Sequence, residues 1–228
     1  MISTGDELVS SVSKEILNGQ IYDANRPMLL SLLNSDYLET IDMGIVKDKR
    51  EDLANKYEEC LSRCDVVISS GGASDGVEDH TQNALKDIGA KCIVWQLAMK
   101  PGKPMSIGLL DKKIIFCLPG NPVAAFVCTK LLIKPLVIKL AGGVDLNPLS
   151  IKLPSGFVHN KKIGRAEYLR AKIINEDDKS IIILHGRKGA GVISSLTGAD
   201  GIVEIPMECR SVEKGKLLTF FPFNHRGL

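Results

Sequence analysis

The sequence predicts an α/β protein: a three-layer domain built on a mostly parallel sheet, followed by a small all-β, barrel-like domain. Three features lead there. From the start to about residue 145, short β-rich runs alternate with helical periods, the pattern of parallel strands covered on both faces by helices. The helical pattern stops between Ala141-Gly142-Gly143 and Asn147-Pro148. After it come only short β runs separated by Gly, Asn, Asp and Lys clusters. The expected division is therefore 1–145 and 146–228.

Each element follows from a local signal. Asn25-Arg26-Pro27 reads as an N-cap with proline in the first turn, leading an apolar face at Met28, Leu29, Leu32 and Leu33. Glu39 to Val46 reads as a strand, Arg50 to Cys64 as a helix and Asp65 to Ser69 as a short buried strand. Thr81 to Ile88 is expected to be helical and Cys92 to Gln96 a strand. Strands at Met105 to Leu110 and Ile114 to Leu118 flank a turn at Asp111-Lys112-Lys113, and a long helix is expected from Pro122 to about Leu140. Five β runs fill the remainder, at Ile151, Ala166, Ser180, Gly201 and Lys216 onward. Only Met1 to Ser3 precede the first turn, which suggests a chain that begins mid-strand, as a fragment or with its true start upstream.

Composition narrows the function classes. Apolar residues at 44% and charged residues at 25% are ordinary for a globular chain. A net charge of +2 is too balanced for a protein that coats nucleic acid. Lys134 and Lys139 interrupt the richest apolar stretch, so no membrane span is expected, and the opening residues lack a secretion signal, which points to the cytoplasm. The six cysteines form no CxxC pair and have no histidine at finger spacing, so they read as core rather than as zinc ligands or disulfides.

Right-handed crossovers put the loops that follow parallel strands along one edge of the sheet, where such sheets bind ligands. Those loops carry the chemistry. Thr4-Gly5-Asp6-Glu7 ends the first strand in acids. Ser69-Ser70-Gly71-Gly72-Ala73-Ser74 can expose consecutive N–H groups to phosphate, and Asp79 follows as a carboxylate suited to a hard divalent cation. Lys100-Pro101-Gly102-Lys103-Pro104 places two cations in a loop stiffened by proline, as a fixed oxyanion receptor requires. Leu118-Pro119-Gly120-Asn121-Pro122 sets Asn121 as N-cap and Pro122 in the first helical turn, aiming a helix dipole at the same edge.

Taken in order, STGDEL, GQIYDANR, SSGGASDGVEDHT, KPGKP and LPGNP resemble the motif series of the MoeA and gephyrin E-domain family, the molybdopterin molybdenumtransferases, from Ile2 to about Gly143. The segment from His185 to Gly215 is similar, less specifically, to that family's C-terminal β domain. The resemblance implies a molybdopterin-binding fold and a reaction in which adenylylated molybdopterin and molybdate give molybdenum cofactor and AMP, with Mg²⁺ or another divalent cation. It implies roles for Glu7 and Asp79 as the important acids and metal ligands, and for Lys100 and Lys103 beside them in catalysis. Thr4, Gly5, Gly71, Gly72, Ser74, Pro119, Gly120, Asn121 and Pro122 would contact the ligand, with Asp23 and Asn25 bordering the cleft. It further implies a homodimer in the full-length form and a molybdopterin adenylyltransferase as partner.

The sequence departs from the family at Ala73, where many members have Val, and at His80, where an aromatic is common. The two domains that usually precede the first motif are not in it. Three other readings share parts of the pattern: molybdopterin adenylyltransferase, the competence-damage family, and a non-catalytic scaffold. Lys-Pro-Gly-Lys-Pro and the β domain argue against the first, the ending from Leu118 onward against the second, and the retained acids against the third.

Overall fold

The structure, a computed structural model, describes residues 1–10, 15–71, 80–144, 147–176, 179–186 and 191–223. It divides into two compact units, Met1–Leu97 with Pro104–Leu146, and Ala98–Lys103 with Asn147–Leu228. The second unit thus includes a segment lying well inside residues 1–145.

The first unit opens with strand β1 (Ile2–Thr4), the short pair β2 (Leu8–Val9) and β3 (Ile21–Tyr22), and helix α1 (Asn25–Leu33). Strand β4 (Ile45–Val46), helix α2 (Arg50–Arg63), strand β5 (Val66–Ser70), helix α3 (His80–Asp87) and strand β6 (Lys91–Gln96) follow. The chain then gives β7 (Met99–Lys100) to the second unit and returns with the hairpin β8 (Pro104–Leu110) and β9 (Lys113–Leu118). A helical run ends the unit: α4 (Pro122–Cys128), a π turn at Thr129–Ile133 and α5 (Lys134–Leu140).

The sheet order is β4-β1-β5-β9-β8-β6. β4, β1, β5 and β9 are mutually parallel, so their carboxyl ends share one edge, while β8 runs against both neighbours. Apolar side chains from one face of the strands pack with those of α2 and α3 in a core: Ile2, Leu53, Tyr57, Leu85, Ile115 and Cys117 are fully or almost fully excluded from water. Such burial is the main stabilising term, about 1.5–3 kcal/mol for each large side chain.

Three elements differ from the sequence reading, each for a local reason. The strand expected over 39–46 is reduced to Ile45–Val46. Gly44 adopts φ +81 and its N–H is held by the Asp42 carboxylate at 2.9 Å, which makes a turn where the strand would run. The long helix to Leu140 passes through a π turn. Pro135 has no N–H, and its ring crowds the carbonyl four residues back. The wider register relieves this, and the Lys134 N–H bonds to Thr129 O, five residues back. Finally, α1 has Ala24 rather than Asn25 at its N-cap, and Asp23 Oδ1 accepts the Arg26 N–H at 3.2 Å. The carboxylate of Asp23 thus does the capping and leaves the Asn25 amide available.

The second unit holds β10 (Ile151–Pro154), β11 (His159–Asn160), β12 (Ala166–Glu176), β13 (Lys179–Leu184), β14 (Gly201–Ile205), β15 (Ser211–Val212) and β16 (Leu217–Pro222). Its main sheet runs β10-β16-β14-β12-β13, with β7 parallel on β12. The two outer strands meet: Ser155 bridges to Ile182, and the Gly156 N–H reaches Ile182 O at 2.7 Å. That contact curls the sheet into a barrel-like form, which limits free strand edges. Ala171, Ile182, Val203, Ile205, Val212 and Phe220 fill its interior.

Cys60, Cys117, Cys128 and Cys209 are buried, Cys64 is half-buried and Cys92 exposed, and all six are free thiols. Among the described residues no helix is long and apolar enough to cross a membrane.

Candidate functional site

The carboxyl edge of β1, β4, β5 and β9 brings together some of the residues that the sequence singled out, Thr4, Asn25, Gly71 and Gly120 among them. Parallel pairing of β1 with β4 and β5 brings the turns after these strands side by side. The approach is closest at Gly71, which has φ +101. A Cβ built there would lie 2.1 Å from Thr4 O, so only glycine lets the two turns meet. The Gly71 N–H also bonds to Leu118 O at 3.1 Å, which ties in the turn after β9. Gly120 completes the set, since its own Cβ would stand 3.7 Å from Gly71 Cα.

Asn25 locks these turns together. Its Nδ2 donates to Ser70 Oγ and to Gly120 O, each at 2.8 Å, while its Oδ1 is buried without a partner among the described residues. A buried carbonyl oxygen left open in this way costs free energy unless a donor arrives. Asp23 underlies the lock: its side chain is 1% exposed, Oδ1 accepts from Ser3 Oγ at 3.0 Å, and Oδ2 takes Arg26 Nε at 2.8 Å. Arg26 continues to Asp42 through its Nη1. Both Asp23 oxygens are therefore engaged within the protein, and its contribution at this edge is to set the start of α1 and with it Asn25. Asn25→Ala is expected to lower stability by about 1–3 kcal/mol. Urea unfolding measures this, and a loss below about 0.5 kcal/mol would mean that the amide does not lock the turns.

The other side of the edge is acidic. Glu7 folds back, placing its carboxylate 2.8 Å from where a Gly5 Cβ would be. The Asp48 N–H is 3.4 Å from Asp6 Oδ1. Burial raises the pKa of Asp48 above the usual carboxylate value, and Asp6 and Glu7 push the same way. His80, at the first turn of α3, and the Thr4 hydroxyl oppose that rise without cancelling it. Among the described residues the edge thus has an acidic end at β1 and β4 and a hydrogen-bonding end at β5 and β9. Among the described residues no three carboxylates, imidazoles or thiolates stand close enough together to hold a metal ion unaided.

Sequence reasoning did not single out Asp48. Its signal was present, an acid two residues past the strand end at Val46 that sequence and structure share, but no motif marks it. Ser70 was read only as part of its motif. Gly72, Ser74 and Asp79 lie outside the described residues. Pro119 is buried, and Asn121 stands at the N-cap of α4 with Pro122 behind it, but the Asn121 side chain makes no capping bond. The cap expected there is supplied by the backbone alone, with the Ala125 N–H on Asn121 O at 2.9 Å.

Lys100 and Lys103 belong to the second unit. Lys100 lies on β7, opposite Glu167 of β12, and its Nζ donates to Glu167 Oε1 at 3.0 Å. Lys103 is half-buried.

Comparison with known proteins adds to this geometry. Residues 1–139 match the family described as "Probable molybdopterin binding domain", and residues 152–223 match the "MoeA C-terminal region (domain IV)". The chain is 34% identical to the molybdopterin molybdenumtransferase of Haemophilus influenzae, over 99% of this chain and 56% of that protein. It is 30% identical to the molybdenum cofactor synthesis protein cinnamon of Drosophila melanogaster, over 97% of this chain and 37% of that one. A solved structure of the molybdopterin biosynthesis MoeA protein from Pyrococcus horikosii aligns with a TM-score of 0.81 and 32% identity, covering 98% of this chain and 54% of that one. The chain spans little more than half the length of the first relative and of that structure, and less of the second relative.

Proposed function

Since the chain belongs to the family of probable molybdopterin-binding domains, we propose that it acts in molybdenum cofactor biosynthesis, inserting molybdate into adenylylated molybdopterin with release of AMP. The observation that carries this reading is the divided edge of the first sheet. Acids at Glu7 and Asp48 suit a hard cation, and the turn locked by Asn25 leads into the Gly-Gly segment whose motif suits phosphate oxygens. The names of the relatives and the match of the second unit support the same reaction. They also weigh against molybdopterin adenylyltransferase, whose expected pattern has no such β unit.

The residues fit a divalent cation by their chemistry: Asp6 and Glu7 lie within electrostatic reach of the half-buried Asp48, which gains from any positive charge that relieves them. Asp48 and Glu7 would hold it, with Asp79 as the third ligand implied by the motif. When bound, the cation supplies charge neutralisation at the phosphoanhydride. The chain's own residues do the rest. By its motif the glycine turn after β5 would offer backbone N–H groups to a phosphate, the open Asn25 Oδ1 would accept a donor from the ligand, and the motif alone assigns Lys100 and Lys103 to the oxyanion. Mg²⁺ as the cation, a homodimer in the full-length form, delivery of substrate by an adenylyltransferase and a cytoplasmic setting belong to this proposal.

The test supplies adenylylated molybdopterin, molybdate and Mg²⁺ and measures AMP. Release of AMP that is lost in Asp79→Ala is the expected result. Consumption of ATP with unmodified molybdopterin would transfer the chain to the adenylyltransferase reaction, and turnover unchanged in Asp79→Ala would remove that residue from the mechanism.

A further inference from the structure

Glu167 stands at the start of β12, in register with Lys100 of β7. Its side chain is 10% exposed, a costly place for a carboxylate that is not fully paired. Both oxygens are paired. Oε1 accepts from Lys100 Nζ at 3.0 Å, and Oε2 lies 2.9 Å from His159 Nε2. Burial works to raise the Glu167 pKa, but the bonds to His159 and Lys100 outweigh it and hold the group below its usual range. His159 is itself fixed on β11, opposite Val212 of β15. The carboxylate is therefore held between two elements and cannot follow a moving partner.

Lys100 is different, because its side chain remains 58% exposed. An ammonium has three donors, and one points to Glu167, so the others face solvent. A free lysine loses rotamer entropy when a ligand fixes it. Strand pairing and the Glu167 bond fix this one in advance. The arrangement sacrifices net charge, since the carboxylate partly cancels the cation, and what it offers in return is position.

We propose that Glu167 is a positioning residue for Lys100, holding its ammonium in one place so that an incoming oxyanion meets a preset donor. This rests on the reading of Lys100 as an oxyanion contact. A carboxylate that only neutralised the lysine would have the opposite effect, because its removal would strengthen anion binding.

The experiment measures molybdate binding to this chain by calorimetry, with thermal unfolding recorded for every variant. Lys100→Met is expected to weaken binding, and Glu167→Gln to weaken it about tenfold. The double variant should be no weaker than Lys100→Met alone, because the two residues act as one unit. Glu167→Asp, which keeps the charge, should recover part of the loss and serves as the folded comparison if the glutamine variant unfolds. Molybdate affinity that is unchanged or tighter in Glu167→Gln, or losses that simply add in the double variant, would overturn the inference. Affinity unchanged in Lys100→Met, or no binding by the parent chain, would instead overturn the reading on which it rests.

Discussion

Asp48→Asn is expected to reduce AMP release about a hundredfold or more while leaving the chain at least as stable as before. The two effects have one cause. In the folded chain burial, with Asp6 and Glu7 beside it, raises the Asp48 pKa above its ordinary value. A carboxyl with a raised folded pKa favours its protonated form, so at neutral pH the ionised group opposes folding. That penalty is fully present above the raised pKa and disappears as pH falls below the ordinary one. Asparagine removes it. In metal-free buffer the variant should therefore melt no lower than the parent at pH 7, with any advantage narrowing toward pH 4. A dication bound as proposed would reverse the sign for the parent, since it would bind the folded state and add stability. Thermal unfolding with and without Mg²⁺, alongside the AMP assay, checks both parts. A variant that retains activity would exclude Asp48 from the site, whereas a large fall in its melting temperature without metal would show that the carboxylate is a structural partner.

Gly71→Ala should be the most disruptive single change at the edge, costing more than about 4 kcal/mol or preventing folding. Two penalties act together. The backbone has φ +101, where an L side chain is strained, and the new methyl would meet Thr4 O, a backbone atom with no rotamer through which to withdraw. Relief would require the turns after β1 and β5 to part, which would also pull Gly71 N from Leu118 O. Urea denaturation with circular dichroism measures the loss. A cost below about 1 kcal/mol would mean that the turns are not closely packed.

Much of this architecture is legible in the sequence because the signals are local. The run from Arg50 to Arg63, with its buried positions Leu53, Tyr57, Cys60 and Leu61, reads as an amphipathic helix from the spacing of its apolar residues alone. The apolar run before Ser69-Ser70-Gly71 likewise identifies β5 as a buried parallel strand. What stays hidden depends on partners distant in sequence. Nothing near Asn25 discloses that Asp23 would cap α1 and leave the amide to Ser70 and Gly120, 45 and 95 residues away. Asp48 belongs to no motif, and its burial beside Asp6 and Glu7 follows from the pairing of β4 with β1. Glu167 has no local motif, and its place follows from the pairing of β12 with a two-residue strand 67 residues earlier.

As proposed, the carboxyl edge of the first sheet would receive a hard dication and the phosphate oxygens beside it. Electron paramagnetic resonance of Mn²⁺ titrated into this chain tests it most directly. The account predicts one bound ion per chain, with affinity at least about tenfold lower in both Asp48→Asn and Glu7→Gln. Mn²⁺ binding that is equally tight in both variants, or absent from the parent chain, would contradict it.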